Sequence, residues 1–172
     1  MKVKFSALLF LFLLSCSSEK PPVDFEKIIF YTSPCFGNCP LLNLQVNKDK
    51  TMLFYKKKGS INPKLDPEKV DAQENEYYKG TVNDALFKKL LIEIAKTDTI
   101  TYKGQNCCDA PLKTIIAYYN GKRKYTQTMF PPKEAEKLIA ILYEISKSEN
   151  LVKTKKFEIE EDEPEPVKFD KN

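Results

Sequence analysis

Over residues 41–47 the chain alternates, with Leu42, Leu44 and Val46 apolar and Asn43, Gln45 and Asn47 polar. A period of two places these sets on opposite faces of a half-buried β-strand. Residues 27–32 are apolar, aromatic and β-branched, which reads as another strand. Asn47-Lys48-Asp49-Lys50 suits a turn into a third strand over 51–57. A long polar loop with Gly59, Pro63 and Pro67 follows, and then a short fourth strand over 76–81.

The period then changes. Leu86, Phe87, Leu90, Leu91 and Ile94 recur at helical spacing and predict a helix over 82–96. Thr81-Val82-Asn83-Asp84 resembles a capping box, with Thr81 as the cap and Asp84 reaching back to it. Two strands, 113–119 and 122–129, flank Asn120-Gly121, a pair suited to a type I′ hairpin with positive φ at both positions. Pro131-Pro132 breaks the second strand and opens a helix over 132–147. Ala135, Leu138, Ile139, Leu142 and Ile145 form its apolar stripe. The order β-β-β-(β)-α-β-β-α predicts an α+β fold: a mostly antiparallel sheet of about five to six strands, with two helices packed on one face.

The first residues follow a different logic. Lys2 and Lys4 precede the apolar run Phe5 to Leu14, and Leu13-Leu14-Ser15 leads directly into Cys16. A basic start, a short apolar core and a small-residue cut mark a secretory signal. The run is about half of the ~20 residues that span a bilayer. The cleavage sequence resembles the lipobox of bacterial lipoproteins, which implies diacylglyceryl transfer to Cys16 and a lipidated mature N-terminus. The organisation expected is a signal peptide over 1–15, a lipidated tether over 16–23, a globular domain over 24–151 and an acidic, disordered tail over 152–172. The membrane is then a partner through Cys16. Because Ser17 follows Cys16, rather than an aspartate of the inner-membrane retention kind, the expected location is the outer membrane, on either face.

The charge sharpens this organisation. Lys and Arg number 28 against 24 Asp and Glu, for a net +4. The leader holds two of the lysines and no acid, so the mature chain is nearly balanced and no nucleic-acid partner is expected. The imbalance is local. Glu158 to Glu165 is dense in acids and ends in Glu163-Pro164-Glu165-Pro166, while Lys56-Lys57-Lys58 and Lys122-Arg123-Lys124 are basic runs.

Export makes disulfides the default for Cys35, Cys39, Cys107 and Cys108, which allow three connectivities. Cys35–Cys39 closes a small ring over Phe36, Gly37 and Asn38, stiffened by Pro34 and Pro40. A bond between the adjacent Cys107 and Cys108 is strained, and strained disulfides are the labile ones. Cross-pairing is the third possibility. Four thiolates also suggest zinc, but the adjacent pair departs from the usual C-x(2–4)-C spacing. No metal or other cofactor is expected.

With no histidine in the chain, a Ser-His or Cys-His nucleophile is excluded. Asp109 is a lone loop carboxylate suited to stabilising a turn. Among Tyr118, Tyr119 and Tyr125, alternation sends part of the set into the core and leaves part for a surface. The chain is expected to be non-enzymatic.

Pro34-Cys35-Phe36-Gly37-Asn38-Cys39-Pro40, ending one strand and leading into an alternating one, resembles the signature of bacterial envelope proteins that carry a DUF6438 domain, a domain of unknown function. The resemblance runs over about 27–146. It takes in the capped helix after Thr81, Asp109-Ala110-Pro111 and the Asn120-Gly121 hairpin. The chain departs from that pattern in three places: it lacks a glycine turn between the second and third strands, and it carries an insertion around 59–75 and the pair Cys107-Cys108. The resemblance implies a domain boundary and no mechanism.

Three functions are compatible with these features. The first is a lipid-anchored binding module for an envelope protein or other envelope ligand. The second is a thiol redox or sensor protein using Cys35/Cys39 and Cys107/Cys108. The third is an enzyme inhibitor that inserts the Phe36-Gly37-Asn38 loop.

Overall fold

Alternation in the strands and helical periodicity in two segments produce the elements of the computed structural model, which describes residues 22–33, 35, 39, 41–57, 75–97 and 110–159. They are β1 (Phe25–Thr32), β2 (Leu42–Asn47), β3 (Thr51–Lys57), β4 (Asn75–Thr81), α1 (Asp84–Lys96), β5 (Lys113–Tyr119), β6 (Lys122–Thr128), α2 (Lys133–Ser146) and β7 (Val152–Lys153). The strands form one sheet in the order β6-β5-β1-β2-β3-β4-β7, with every pairing antiparallel. The fold is mixed α+β. Its sheet has seven strands rather than five to six, because β7 adds to β4 from within the segment expected to be a tail.

β1 is an interior strand, third in that order, between β5 and β2. A register shift between Phe25 and Lys27 brings Phe25 and Ile28 onto one face although they are an odd number of residues apart. On that face Ile28, Phe30, Leu44, Val46, Met52, Ala117 and Tyr119 are buried in one cluster with Leu86, Phe87, Leu90, Leu91 and Ile94 of α1 and Leu138, Leu142 and Ile145 of α2. Phe87 meets Phe25 edge-on at 5.7 Å, and Tyr143 meets Phe30 edge-on at 5.3 Å. The helices therefore share a core with β1. Their hydrophobic stripes supply its stabilisation, roughly 1.5–3 kcal/mol for each fully buried large side chain.

The turns depend on specific residues. Asn120 and Gly121 adopt φ values of 52° and 66°, the positive pair a type I′ hairpin needs. Between β2 and β3 the left-handed position falls on Lys50, φ 67°, where glycine would be at ease. Asp49 accepts bonds there from the Thr51 amide and hydroxyl, at 2.9 and 2.6 Å. The cap of α1 is Asn83, whose side chain accepts from the Leu86 amide at 2.9 Å. Thr81 does not fill that role, since it still pairs with Thr51 at the end of β4.

Both ends of the domain lie outside the expected limits. Val23, assigned to the tether, is buried in the core, and Asp24 is fixed by reciprocal 2.8 Å bonds with Asn120. At the other end, residues 152–159 belong to the fold and are not tail. Thr154 donates to the Tyr77 carbonyl at 2.8 Å, Phe157 packs on two tyrosines, and Ile159 is buried. The apolar residues Val152, Phe157 and Ile159 stand there among charged ones, three lysines and Glu158.

Candidate functional site

Two features stand out: the Cys35–Cys39 disulfide beyond β1, and the sheet face that carries Ile29 and Ile116.

Cys35 and Cys39 are joined by a disulfide, their Cα atoms 5.8 Å apart. The loop is pinned at its base. The Leu42 amide donates to Thr32 Oγ1 at 3.1 Å, which closes the turn from β1 to β2. Ser33 and Leu112 exchange two bonds of 2.9 Å, Ser33 N–H to the Leu112 carbonyl and Leu112 N–H to Ser33 Oγ. The disulfide loop is thus fastened to the chain entering β5. The sequence-level candidates Phe36, Gly37, Asn38, Cys107 and Cys108, together with Asp109 and Cys16, lie outside the described residues. Among the described residues no group of three or more Cys, Asp or Glu is arranged to hold a metal ion, and no helix is long and apolar enough to cross a membrane.

The second feature was only partly anticipated. Alternation sends Tyr119 into the core, while Tyr118 and Tyr125 pack on the other face with Tyr31, Tyr55, Ile29 and Ile116. Strand pairing orders this face into rows. One row carries Arg123, Tyr118, Lys27 and Asn47; the next carries Tyr125, Ile116, Ile29, Gln45 and Leu53. A third carries Gln127, Thr114, Tyr31, Asn43, Tyr55 and Tyr77. Gln127 donates to Thr114 Oγ1 at 3.1 Å within that row. Cations lie over rings here: Lys27 Nζ is 4.9 Å from the centre of Tyr118, and the Arg123 guanidinium carbon is 5.7 Å from that of Tyr125. Burial, with Tyr31 beside it, holds the Tyr125 phenol above its ordinary value.

The chain after β7 crosses this face. Phe157 lies 5.1 Å from Tyr77 and 6.3 Å from Tyr55, both edge-on, and Ile159 packs with Ile29 and Ile116. Residues 154–159 form a strap laid across the strands from β4 toward β5. The alternation of Phe157 and Ile159 with Lys156, Glu158 and Glu160 was the available signal.

A seven-stranded antiparallel sheet with two helices, a disulfide-closed loop at one end and a strapped aromatic face define a small α+β domain. The chain belongs to the DUF6438 family: the family's model, described as a domain of unknown function, matches residues 26–149. That match takes in β1 to α2 and ends before β7 and the strap. Neither the curated proteins nor the solved structures yield a match to this chain.

Proposed function

We propose that the protein is a lipid-anchored, non-enzymatic binding module of the bacterial cell envelope, held at Cys16 and placed at the outer membrane. The observation that carries this reading is the succession of a basic start, a short apolar run and Leu13-Leu14-Ser15-Cys16, followed within a few residues by the folded domain. Among the described residues the first core side chain is Val23, seven positions after Cys16. Two acyl chains or more make a lasting tether where one binds only marginally. In this reading the two helices form one layer over the face lined by Phe30, Leu44 and Phe54, and the other surfaces serve an envelope partner.

The test is metabolic labelling with a palmitate analogue in intact cells. The wild type should carry label and sediment with membranes. Cys16→Ala should lose label and the membrane fraction together. Label retained on Cys16→Ala would overturn the anchor assignment.

A redox or sensor role is the second reading, favoured by the Cys35–Cys39 disulfide and by the Ser33–Leu112 bonds that bring its loop toward the chain carrying Cys107 and Cys108. Intact mass with and without reduction and alkylation gives the oxidation state of each thiol. A Cys107→Ser, Cys108→Ser double variant that titrates like the wild type would exclude the adjacent pair as the active couple.

A further inference from the structure

The disulfide closes a very small ring. Cys35 and Cys39 are four positions apart, and the entropy that a cross-link removes from the unfolded chain grows with the logarithm of the ring it closes. So short a ring adds little to the stability of the whole domain. Nor is it needed to hold β1 against β2. Tyr31 already pairs with Asn43, and the Leu42 amide already donates to Thr32 Oγ1 at 3.1 Å. The effect of the bond therefore lies close to it in the chain.

Ser33 stands two positions before Cys35. Its amide donates to the Leu112 carbonyl and its hydroxyl accepts from the Leu112 amide, both at 2.9 Å. The pairing of β1 with β5 ends at Thr32 and Lys113. The Ser33–Leu112 clasp extends that ladder by one residue on each side, with a side-chain oxygen in place of a backbone carbonyl. Such a bond is lost by rotation about the serine χ1, so it depends on what fixes Ser33.

We propose that the Cys35–Cys39 disulfide is a redox latch on this clasp. Oxidised, it fixes Ser33 and the chain entering β5 is held. Reduced, it releases Leu112 while the sheet stays paired. The reductant is a dithiol. One thiolate attacks a sulfur of the bond and the second completes the exchange. The S–S bond breaks, two electrons and two protons pass to Cys35 and Cys39, and the donor closes to its own disulfide. Neither cysteine is fully buried. The inference rests on the redox reading for this couple alone and needs nothing from Cys107 and Cys108.

Amide hydrogen exchange on the full chain, followed by NMR before and after dithiothreitol, reads each arm of the clasp. Reduction should speed exchange at Ser33 and Leu112 roughly two- to tenfold, the range of one lost hydrogen bond. Ile29 and Ile116, paired in the middle of the same ladder, should exchange as before, since the opening is local. A Cys35→Ser, Cys39→Ser variant should match the reduced wild type and ignore dithiothreitol. Ser33→Ala should speed Leu112 in the oxidised protein and leave reduction little to add, because both changes remove the same bond. A Cys107→Ser, Cys108→Ser variant should respond like the wild type, so an inactive adjacent pair leaves the latch standing. A Cys35–Cys39 bond that dithiothreitol leaves intact in the folded protein, a Leu112 amide that exchanges at the oxidised rate after reduction, equal acceleration at Ile29 and Ile116, or loss of the response in the Cys107→Ser, Cys108→Ser variant would each overturn the proposal.

Discussion

The Tyr119 hydroxyl lies 3.1 Å from Thr97 Oγ1, deep between β5 and the end of α1. Thr97 Oγ1 also lies 2.7 Å from the Ile94 carbonyl, to which it donates, so Tyr119 is the donor in the hydroxyl pair. A single threonine thus ends the helix and engages the largest fully buried side chain of the core.

Thr97→Val keeps the shape and deletes both bonds. We expect a loss of about 1–2 kcal/mol in urea unfolding, with Thr97→Ser much milder. A double-mutant cycle with Tyr119→Phe should give a coupling of about 0.5–1.5 kcal/mol. Strict additivity would show that the contact contributes nothing.

Gly80 is required by close approach. A Cβ at this position would come within 2.9 Å of Met52 Cε, 3.0 Å of the Asn150 carbonyl and 3.4 Å of Leu151 Cδ2. Met52 is fully buried and has little room to swing, and the Asn150 oxygen is backbone. Gly80→Ala should therefore destabilise by about 1–3 kcal/mol, against the usual gain from replacing glycine in a strand. An unchanged or higher melting temperature would show that the segment entering β7 yields freely.

At Lys50 the sign reverses. Its left-handed φ of 67° is costly for a residue with a Cβ. Its ion pair with Asp84, 2.8 Å long, is well exposed on the aspartate side and worth little. Lys50→Gly should raise stability by about 0.5–1 kcal/mol, while Lys50→Ala, which loses the same ion pair and keeps the Cβ, should not. Comparing the urea midpoints of the three proteins separates backbone strain from charge.

Glu76 links the fold to acid. The hydrogen bond from Tyr78, 3.1 Å long, and then Lys56 and Lys153 at 3.4 and 3.5 Å hold its carboxyl below the ordinary value of 4.5. A carboxylate with a depressed folded pKa contributes stability that is present above its unfolded value and lost as pH falls through the folded one. The stability difference between wild type and Glu76→Gln should be constant above that ordinary value and shrink at lower pH. A flat difference across this range in pH-dependent urea melts would refute the linkage.

The parts of the fold legible in the sequence were those with sustained periodicity or strict turn chemistry. Every residue of the α1 stripe is buried as its spacing requires, and Asn120-Gly121 turns as its φ preferences dictate. The α1 cap was misplaced by two residues because hydroxyl and amide caps are chemically alike, and pairing with Thr51 decided between them. β7 has two residues, too few for any period to register. The strap was hidden by its charge: Phe157 and Ile159 alternate as a strand-like segment should, but the acids around them suggested solvation. Only knowledge of which strands lie beneath gives those two side chains somewhere to go.

β1 also gives the domain a polarity. Its start, at Phe25, lies beside the Asp24–Asn120 clasp and the Asp24–Lys48 ion pair, and its end runs into Ser33 and the disulfide loop. Eight residues of strand separate the two, roughly 26 Å at the usual rise. The Asn120-Gly121 hairpin thus stands at the end of the domain where β1 begins, and Cys35 and Cys39 follow the end where β1 stops, about one strand length away.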